Sequence, residues 1–305
     1  MTDHTSTATI RDVMPRDGLQ AEAPLAAAIR ANLAIALADA GLAHVEAASF
    51  VSQKAVPSMA GGDEVFGQLP KRQTVWWALV PNAQGARAAM DAGVTSITVT
   101  VSASTAYSEK NVRRSTAAAI AGLADIAAVT GQDGIVVDVD IVVSCAFGSP
   151  FDDVTNPAPV VAVVEGAQHA MPGARITLAD TTGTATPRRI AEVLGSLPES
   201  ARVDLGLHLH DTRGTALANA LWAVEHGIRR FDTATGGLGG SPFAPGAGGN
   251  LATEDLVLVL DDLGISTGID LDIILRIARS LPALIGHAVP SRTSAAGSLP
   301  RFDSA

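Results

Sequence analysis

Short β-like runs alternate with alanine-rich helical stretches along most of the chain, and this alternation limits the fold more than any other feature. Apolar, β-prone runs fall at 10–14, 44–48, 74–79, 96–101, 135–144, 175–180, 203–208 and 230–232. Most of the intervals hold a helical pattern, as at 26–40, 83–92, 115–130, 160–170, 187–197 and 216–227. Strands separated by helices pair in parallel through βαβ crossovers. Eight such units in about 250 residues match a (β/α)8 barrel, the TIM barrel of the α/β class. A doubly wound open sheet is the rival. Its phosphate-binding Gly-x-Gly-x-x-Gly is missing after the first run, and the glycines at 236–240 follow the last run instead.

The size and composition fit one large core: 305 residues, 47% hydrophobic and 17% charged. No linker divides the first 260 residues. A further helix at 271–281, stopped by Pro282, is expected to pack on the barrel. The expected organisation is a single barrel domain with this extra C-terminal helical segment over 1–290, then a mobile Ser-, Ala- and Gly-rich tail over 291–305. A net charge of −10 argues against a nucleic-acid partner. The single cysteine, Cys145, allows neither an intrachain disulfide nor a zinc–thiolate cluster, which fits a cytoplasmic protein. Residues 1–9 lack the apolar core of a signal peptide, and no uninterrupted apolar run of about 18 residues suggests a membrane partner.

In such a barrel the C-terminal strand ends and their loops make the active site. The seventh run ends in Leu205-Gly206-Leu207-His208-Leu209-His210-Asp211. Strand side chains alternate with a period of two, so His208 and His210 project to one side. They read as a pair of metal ligands or as buried, hydrogen-bonded histidines. The first run ends in Met14-Pro15-Arg16-Asp17-Gly18-Leu19-Gln20. Asp17 is a hard oxygen ligand with the fixed cation Arg16 beside it, although Pro, Asp and Gly also make surface turns. Glu46 lies inside an apolar run, a costly place unless it is paired, and Arg16 is the natural partner. Asp180 closes the sixth run, as a helix N-cap or a catalytic carboxylate. Seven of the fifteen residues at 236–250 are glycine, which suits a loop that closes over substrate. Asn250 ends that loop, and its amide oxygen could bind a metal or cap the next helix.

Four segments in this order resemble 3-hydroxy-3-methylglutaryl-CoA lyase, a metal-dependent lyase of the TIM-barrel lyases and aldolases. They are Pro15-Arg16-Asp17-Gly18-Leu19-Gln20, Glu46-Ala47-Ala48-Ser49-Phe50-Val51-Ser52, His208-Leu209-His210-Asp211 and Gly249-Asn250-Leu251-Ala252-Thr253-Glu254-Asp255. The resemblance runs from about residue 10 to residue 260. It implies metal ligands at Asp17, His208, His210 and Asn250, holding Mg2+ or Mn2+, with Co2+ also suitable. It implies catalytic roles for Arg16, Glu46, Asp180 and His208. Substrate-binding residues are expected at Arg16, Gln20, Ser49, Lys54, Lys110 and Asn111, with Lys54, Lys110, Arg113 and Arg114 as cations for the CoA phosphates. The implied partner is an acyl-CoA substrate, and the implied assembly is a homo-oligomer, a dimer or larger.

One position departs from the family. Its glycine-rich loop carries a catalytic cysteine directly after the paired glycines, and here that position is Ser241. Ser149 also stands where relatives often have a second cysteine. A thiol exchanges a proton near neutrality, whereas a serine hydroxyl needs a neighbouring base. The implied activity is retro-Claisen cleavage of 3-hydroxy-3-methylglutaryl-CoA into acetyl-CoA and acetoacetate. Ser241 motivates an alternative, a sister lyase acting on a citramalyl or longer branched acyl-CoA. A third reading, from another class, is a barrel that binds a CoA ester without turnover. The absence of an added regulatory domain disfavours a synthase running the condensation forward.

Overall fold

The computed structural model describes residues 6–131, 136–151, 156–240 and 248–297. Eight parallel strands close into a barrel in chain order. They are β1 (Thr9–Asp12), β2 (His44–Ser49), β3 (Val75–Leu79), β4 (Ser96–Ser102), β5 (Asp138–Ser144), β6 (Arg175–Asp180), β7 (Gly206–Leu209) and β8 (Arg230–Thr233). The helices are α1 (Ala27–Asp39), α2 (Gly62–Phe66), α3 (Ala83–Asp91), α4 (Thr105–Val112), α5 (Thr116–Thr130), α6 (Ala158–Ala170), α7 (Pro187–Ser196) and α8 (Ala216–Glu225). Three more follow the last strand: α9 (Thr253–Asp262), α10 (Leu271–Ile285) and α11 (Arg292–Ala296). Each expected run therefore overlaps a strand. Among the described residues no helix is long and apolar enough to cross a membrane.

The outward strand faces supply the apolar core. Ile10, Val45, Ile97, Ile141, Ile176, Leu207 and Phe231 are buried in one cluster with helix residues such as Leu37, Leu123, Val163 and Ile190. Several inward positions are charged. Arg11 donates through Nε and Nη2 to the two carboxylate oxygens of Asp232, at 2.9 and 2.8 Å. The same Nη2 lies 3.0 Å from Asp140 Oδ2, which also accepts from Arg230 Nη1 at 2.9 Å. Thr177 Oγ1 donates to Asp140 as well, at 2.9 Å. Two cations thus meet two anions inside the barrel. Buried charge is tolerable in this form because each group has a partner and a hydrogen bond.

Three expectations need correction. β1 stops at Asp12 rather than Met14. The Asp12 carboxylate, fully buried, accepts from Met14 N at 2.8 Å and Thr253 Oγ1 at 2.7 Å, and that turns the chain out of the sheet. Pro282 does not stop α10, which continues to Ile285 and ends where Gly286 takes a left-handed conformation (φ 81°). The tail does not begin at Ser291. Ser291 caps α11, and Asp255 accepts from Thr293 N at 2.8 Å, so Thr293 and Ser294 are buried. Residues 298–305 lie outside the described residues.

Candidate metal centre and active site

The site begins where β1 ends. Residues Met14–Gly18 form a single π-helical turn in which Met14, Pro15, Arg16 and Gly18 are buried, so this segment is not a surface turn. The turn presents Arg16 and Asp17 together, with Arg16 Nη1 2.5 Å from Asp17 Oδ1. Arg16 Nε donates to Glu46 Oε2 at the end of β2. The pairing of Arg16 with Glu46 read from the sequence is therefore present.

On the other side of the mouth, His208 and His210 point the same way from β7, with their Nε2 atoms 3.2 Å apart. Each ring is held from behind. His210 Nδ1 donates to Gly248 O at 3.0 Å, and His208 Nδ1 lies 3.3 Å from Asp232 Oδ2. A carbonyl can only accept, which fixes the His210 tautomer and leaves its Nε2 lone pair forward. Asn250 pairs with His210 as a short bridge beyond β7. Its Nδ2 donates to Asp17 Oδ2 at 2.7 Å and to Leu238 O at 2.9 Å. Asn250 does not cap α9, whose N-cap is Ala252. Glycine allows this closure: a Cβ at Gly239 would stand 2.4 Å from Asn250 Nδ2, and one at Gly249 would stand 1.8 Å from Gly237 O.

The electrostatics follow from this crowding. Burial alone would raise Asp17, but Arg16 and the two histidines hold it down at about 2. Burial, then the neighbouring His208, push His210 down to about 4. Burial opposes a charge on His208, yet its bond to Asp232 and the nearby Asp17 carboxylate raise it on balance. The donor atoms of Asp17, His208 and His210 lie within 4.8 Å of one another. Asn250 Oδ1 is buried with no hydrogen-bond partner. One carboxylate and two imidazoles within 4.8 Å of one another, with a buried amide oxygen on Asn250 that has no partner, fit a divalent cation.

The other residues expected at the site divide into two groups. Glu46 and Ser49 sit at the end of β2, where the register slips between Glu46 and Ala48. Glu46 Oε1 and Ser49 Oγ are buried without partners. Asp180 ends β6, and burial raises it to about 6. Its oxygens accept from Thr184 N at 2.7 Å and Ala185 N at 3.1 Å, so it anchors its own loop, while Thr186 is the N-cap of α7. Gln20 follows the π-turn, and its carbonyl accepts from Ser58 Oγ at 2.6 Å. Lys54 lies exposed in the loop after β2, and Asn111, Arg113 and Arg114 lie exposed at the end of α4 and just beyond it. Lys110 Nζ sits 4.3 Å from the ring centroid of Phe151. Ser241 lies outside the described residues. Ser149 Oγ accepts from Phe151 N at 3.1 Å and meets Ser104 Oγ at 3.2 Å.

Sequence reading missed Asp232, Arg11, Asp12 and Asp140. The signal was there: each is a charged residue inside a β-like run, the argument that singled out Glu46.

Residues 7–281 match the family model described as HMGL-like. The chain belongs to the HMGL-like family. This HMGL-like chain is 40% identical over 291 residues to hydroxymethylglutaryl-CoA lyase of Pseudomonas mevalonii, covering 93% of the chain and 95% of the relative. It is also 40% identical over 305 residues to (R)-citramalyl-CoA lyase of Chloroflexus aurantiacus, covering 95% and 94%. A solved HMG-CoA lyase from Acinetobacter baumannii, in complex with coenzyme A and 3-methylmalate, superimposes with a TM-score of 0.90 at 38% identity, over 99% of this chain and 98% of that one. The HMGL-like chain is accordingly an enzyme of the carbon–carbon lyase class.

Proposed function

We infer that this lyase performs a metal-dependent retro-Claisen cleavage of 3-hydroxy-3-methylglutaryl-CoA to acetyl-CoA and acetoacetate. The observation that supports it is the convergence of Asp17, His208 and His210 within 4.8 Å, beside an arginine. Asp17, His208, His210 and Asn250 would hold Mg2+, Mn2+ or Co2+. When bound, such an ion acidifies an alcohol and neutralises a carboxylate. Arg16 commits Nε to Glu46 and Nη1 to Asp17, which locks its orientation. Nη2 forms no hydrogen bond among the described residues and is the donor for the thioester oxygen as it gains charge. Asp180, near 6, is suited to take the hydroxyl proton, because an acid or base works best near ambient pH. His208 is less suited, since its Nε2 is turned to the cation site.

The CoA arm would leave past the ends of β2 and β4. A groove of about 680 Å³ opens beside Ser49 between α2 and α3, but its charged lining residues are Asp63 and Asp91. It does not suit phosphates. The exposed Lys54, Arg113 and Arg114, with Lys110, do.

A second reading, a sister lyase for a citramalyl or longer acyl-CoA, is favoured by the equal identity to a citramalyl-CoA lyase and by Ser241. Release of acetyl-CoA from a panel of these esters, with Mg2+ or Mn2+ and with chelator, tests both. The methylglutaryl ester should give the highest kcat/KM, abolished by chelator and restored by the ion. A citramalyl preference selects the second reading. Chelator-resistant cleavage overturns the metal role. No acetyl-CoA from any ester overturns the lyase assignment and leaves a CoA-ester-binding barrel.

A further inference from the structure

The mouth of the barrel has two unlike halves. The charged half is built from the ends of β7, β1 and β2, where His208, His210, Asp17, Arg16 and Glu46 gather. The other half comes from β3 to β6. Inward positions there can be fixed from the network below. Thr98 Oγ1 accepts from Arg11 Nη1 at 3.4 Å, and Asp140 binds Arg11, so both point inward. Thr177 donates to Asp140 and does the same, and the Trp77 ring lies 4.9 Å from the Arg11 guanidinium. Two residues further along each strand, the inward positions are Thr100, Val142, Ala179 and Leu79. Thr100 and Val142 are direct register partners.

Three of these four side chains are hydrocarbon, and the fourth has a methyl group. Thr100 is also unusual in its exposure. It lies fifth of seven in β4, every other residue of that strand is buried, and Thr100 alone is open to solvent. A mid-strand residue that points into a barrel is exposed only where the lumen above it is open. That opening faces the charged half across the mouth. A substrate whose hydroxyl and carboxyl groups sit at the charged half would turn its remaining C3 substituent toward the opposite wall.

We propose that Thr100, with Leu79, Val142 and Ala179, forms the pocket for the C3 substituent, and that the small Thr100 side chain sets the length of alkyl chain the enzyme accepts. The proposal rests on the lyase reading above. It makes the substrate class a 3-hydroxy-3-alkylglutaryl-CoA whose alkyl group is not restricted to methyl.

The test separates binding from turnover. Dissociation constants are measured calorimetrically, with Mn2+ present, for 3-alkylglutaryl-CoA esters that lack the 3-hydroxyl and carry methyl, ethyl or a branched six-carbon group. The matching 3-hydroxy esters give kcat/KM. Thr100→Leu fills the opening, and the ratio of six-carbon to methyl affinity should fall by about tenfold or more, the discrimination a methylene or two commands in an apolar pocket. Thr100→Ala should move that ratio the other way. Thr100→Val, equal in volume, should keep the wild-type ratio and so exclude a hydroxyl effect. An affinity ratio unmoved by both Thr100→Leu and Thr100→Ala overturns the pocket and, if cleavage persists, leaves the lyase reading standing. Binding that depends on chain length through Thr100, without cleavage of any ester, supports the pocket and overturns the lyase reading.

Discussion

His208 and Arg11 meet on a single carboxylate oxygen: Asp232 Oδ2 lies 3.3 Å from His208 Nδ1 and 2.8 Å from Arg11 Nη2. A histidine whose Nδ1–H rests on a carboxylate keeps its Nε2 lone pair forward and its ring fixed. The barrel interior thus orients a residue of the candidate metal centre. Asp232→Asn should weaken Mn2+ binding by about 10- to 100-fold, the usual cost of losing such a support. It should also lower stability by on the order of 3 kcal/mol, because Arg11 loses its two-point partner while buried. Titration calorimetry with Mn2+ and a thermal melt check both. Wild-type Mn2+ affinity in a well-folded Asp232→Asn protein would remove Asp232 from the site.

Arg16 carries two duties that can be separated. If Arg16 donates to the thioester oxygen as proposed, Arg16→Met should cost about 10²–10³ in kcat, the usual effect of losing one such donor. It also leaves Glu46, fully buried, without its cation. The variant should therefore melt well below the wild type, since breaking a buried pair costs about 3–5 kcal/mol. Adding Glu46→Gln should recover most of the melting temperature and none of the turnover. Recovery of turnover in the double variant would show that Arg16 acts only through the fold.

The candidate metal-binding cluster was legible in the sequence because much of its spacing is local. His208 and His210 are two apart on a strand, and period two decides their side whatever else the chain does. Arg16 and Asp17 are neighbours in one turn. Eight strands were legible for a similar reason, as apolar runs between helical stretches. The Arg11–Asp232 pair was not, because its members are 221 residues apart and meet only when β8 closes against β1. The same holds for Asp12, whose carboxylate gathers Thr235 and Thr253 from the other end of the chain. Pro282 misled because proline is tolerated three residues from a helix end when a glycine then terminates it. The tail misled because composition does not show that Asp255 waits to bind it.

Glu254 should give stability a measurable pH dependence. It is fully buried at the start of α9, where both carboxylate oxygens accept from Gly236 N at 3.1 Å. Burial raises it from 4.5 to about 7, against the hydrogen bonds that favour its charged form. The folded state therefore holds its proton more tightly than the unfolded state. The associated stability is complete below pH 4.5 and is lost as pH rises through about 7. A shift of this size corresponds to on the order of 3 kcal/mol. Glu254→Gln should flatten the fall in melting temperature between pH 5 and 8 and melt above the wild type at pH 8. Parallel pH profiles for the two proteins would show that Glu254 is ionised in the fold.

Ser241 decides between the two substrate readings by its chemistry. It follows Gly239 and Gly240, and a Cβ at Gly239 would already stand 3.4 Å from Asp17 Oδ2, so the loop leaves from the rim of the metal centre. The family places a thiol at the Ser241 position. If this enzyme is a methylglutaryl-CoA lyase that works without the thiol, Ser241→Cys should raise kcat on that ester, because a group with a pKa near 8.5 replaces one that hardly ionises at neutrality. A gain of about tenfold or more lies within the range for general acid–base groups. The gain should grow from pH 7 to pH 8.5 as the thiolate fraction rises. If the loop has instead been rebuilt around a hydroxyl for another acyl-CoA, the same substitution should leave the methylglutaryl rate alone and slow the better substrate. Steady-state kinetics of wild type and Ser241→Cys on both esters, across that pH range, separate the outcomes. Identical kinetics on every ester would show that the Ser241 side chain takes no part in the proton transfers, and Asp180 would then have to carry them without a partner from this loop.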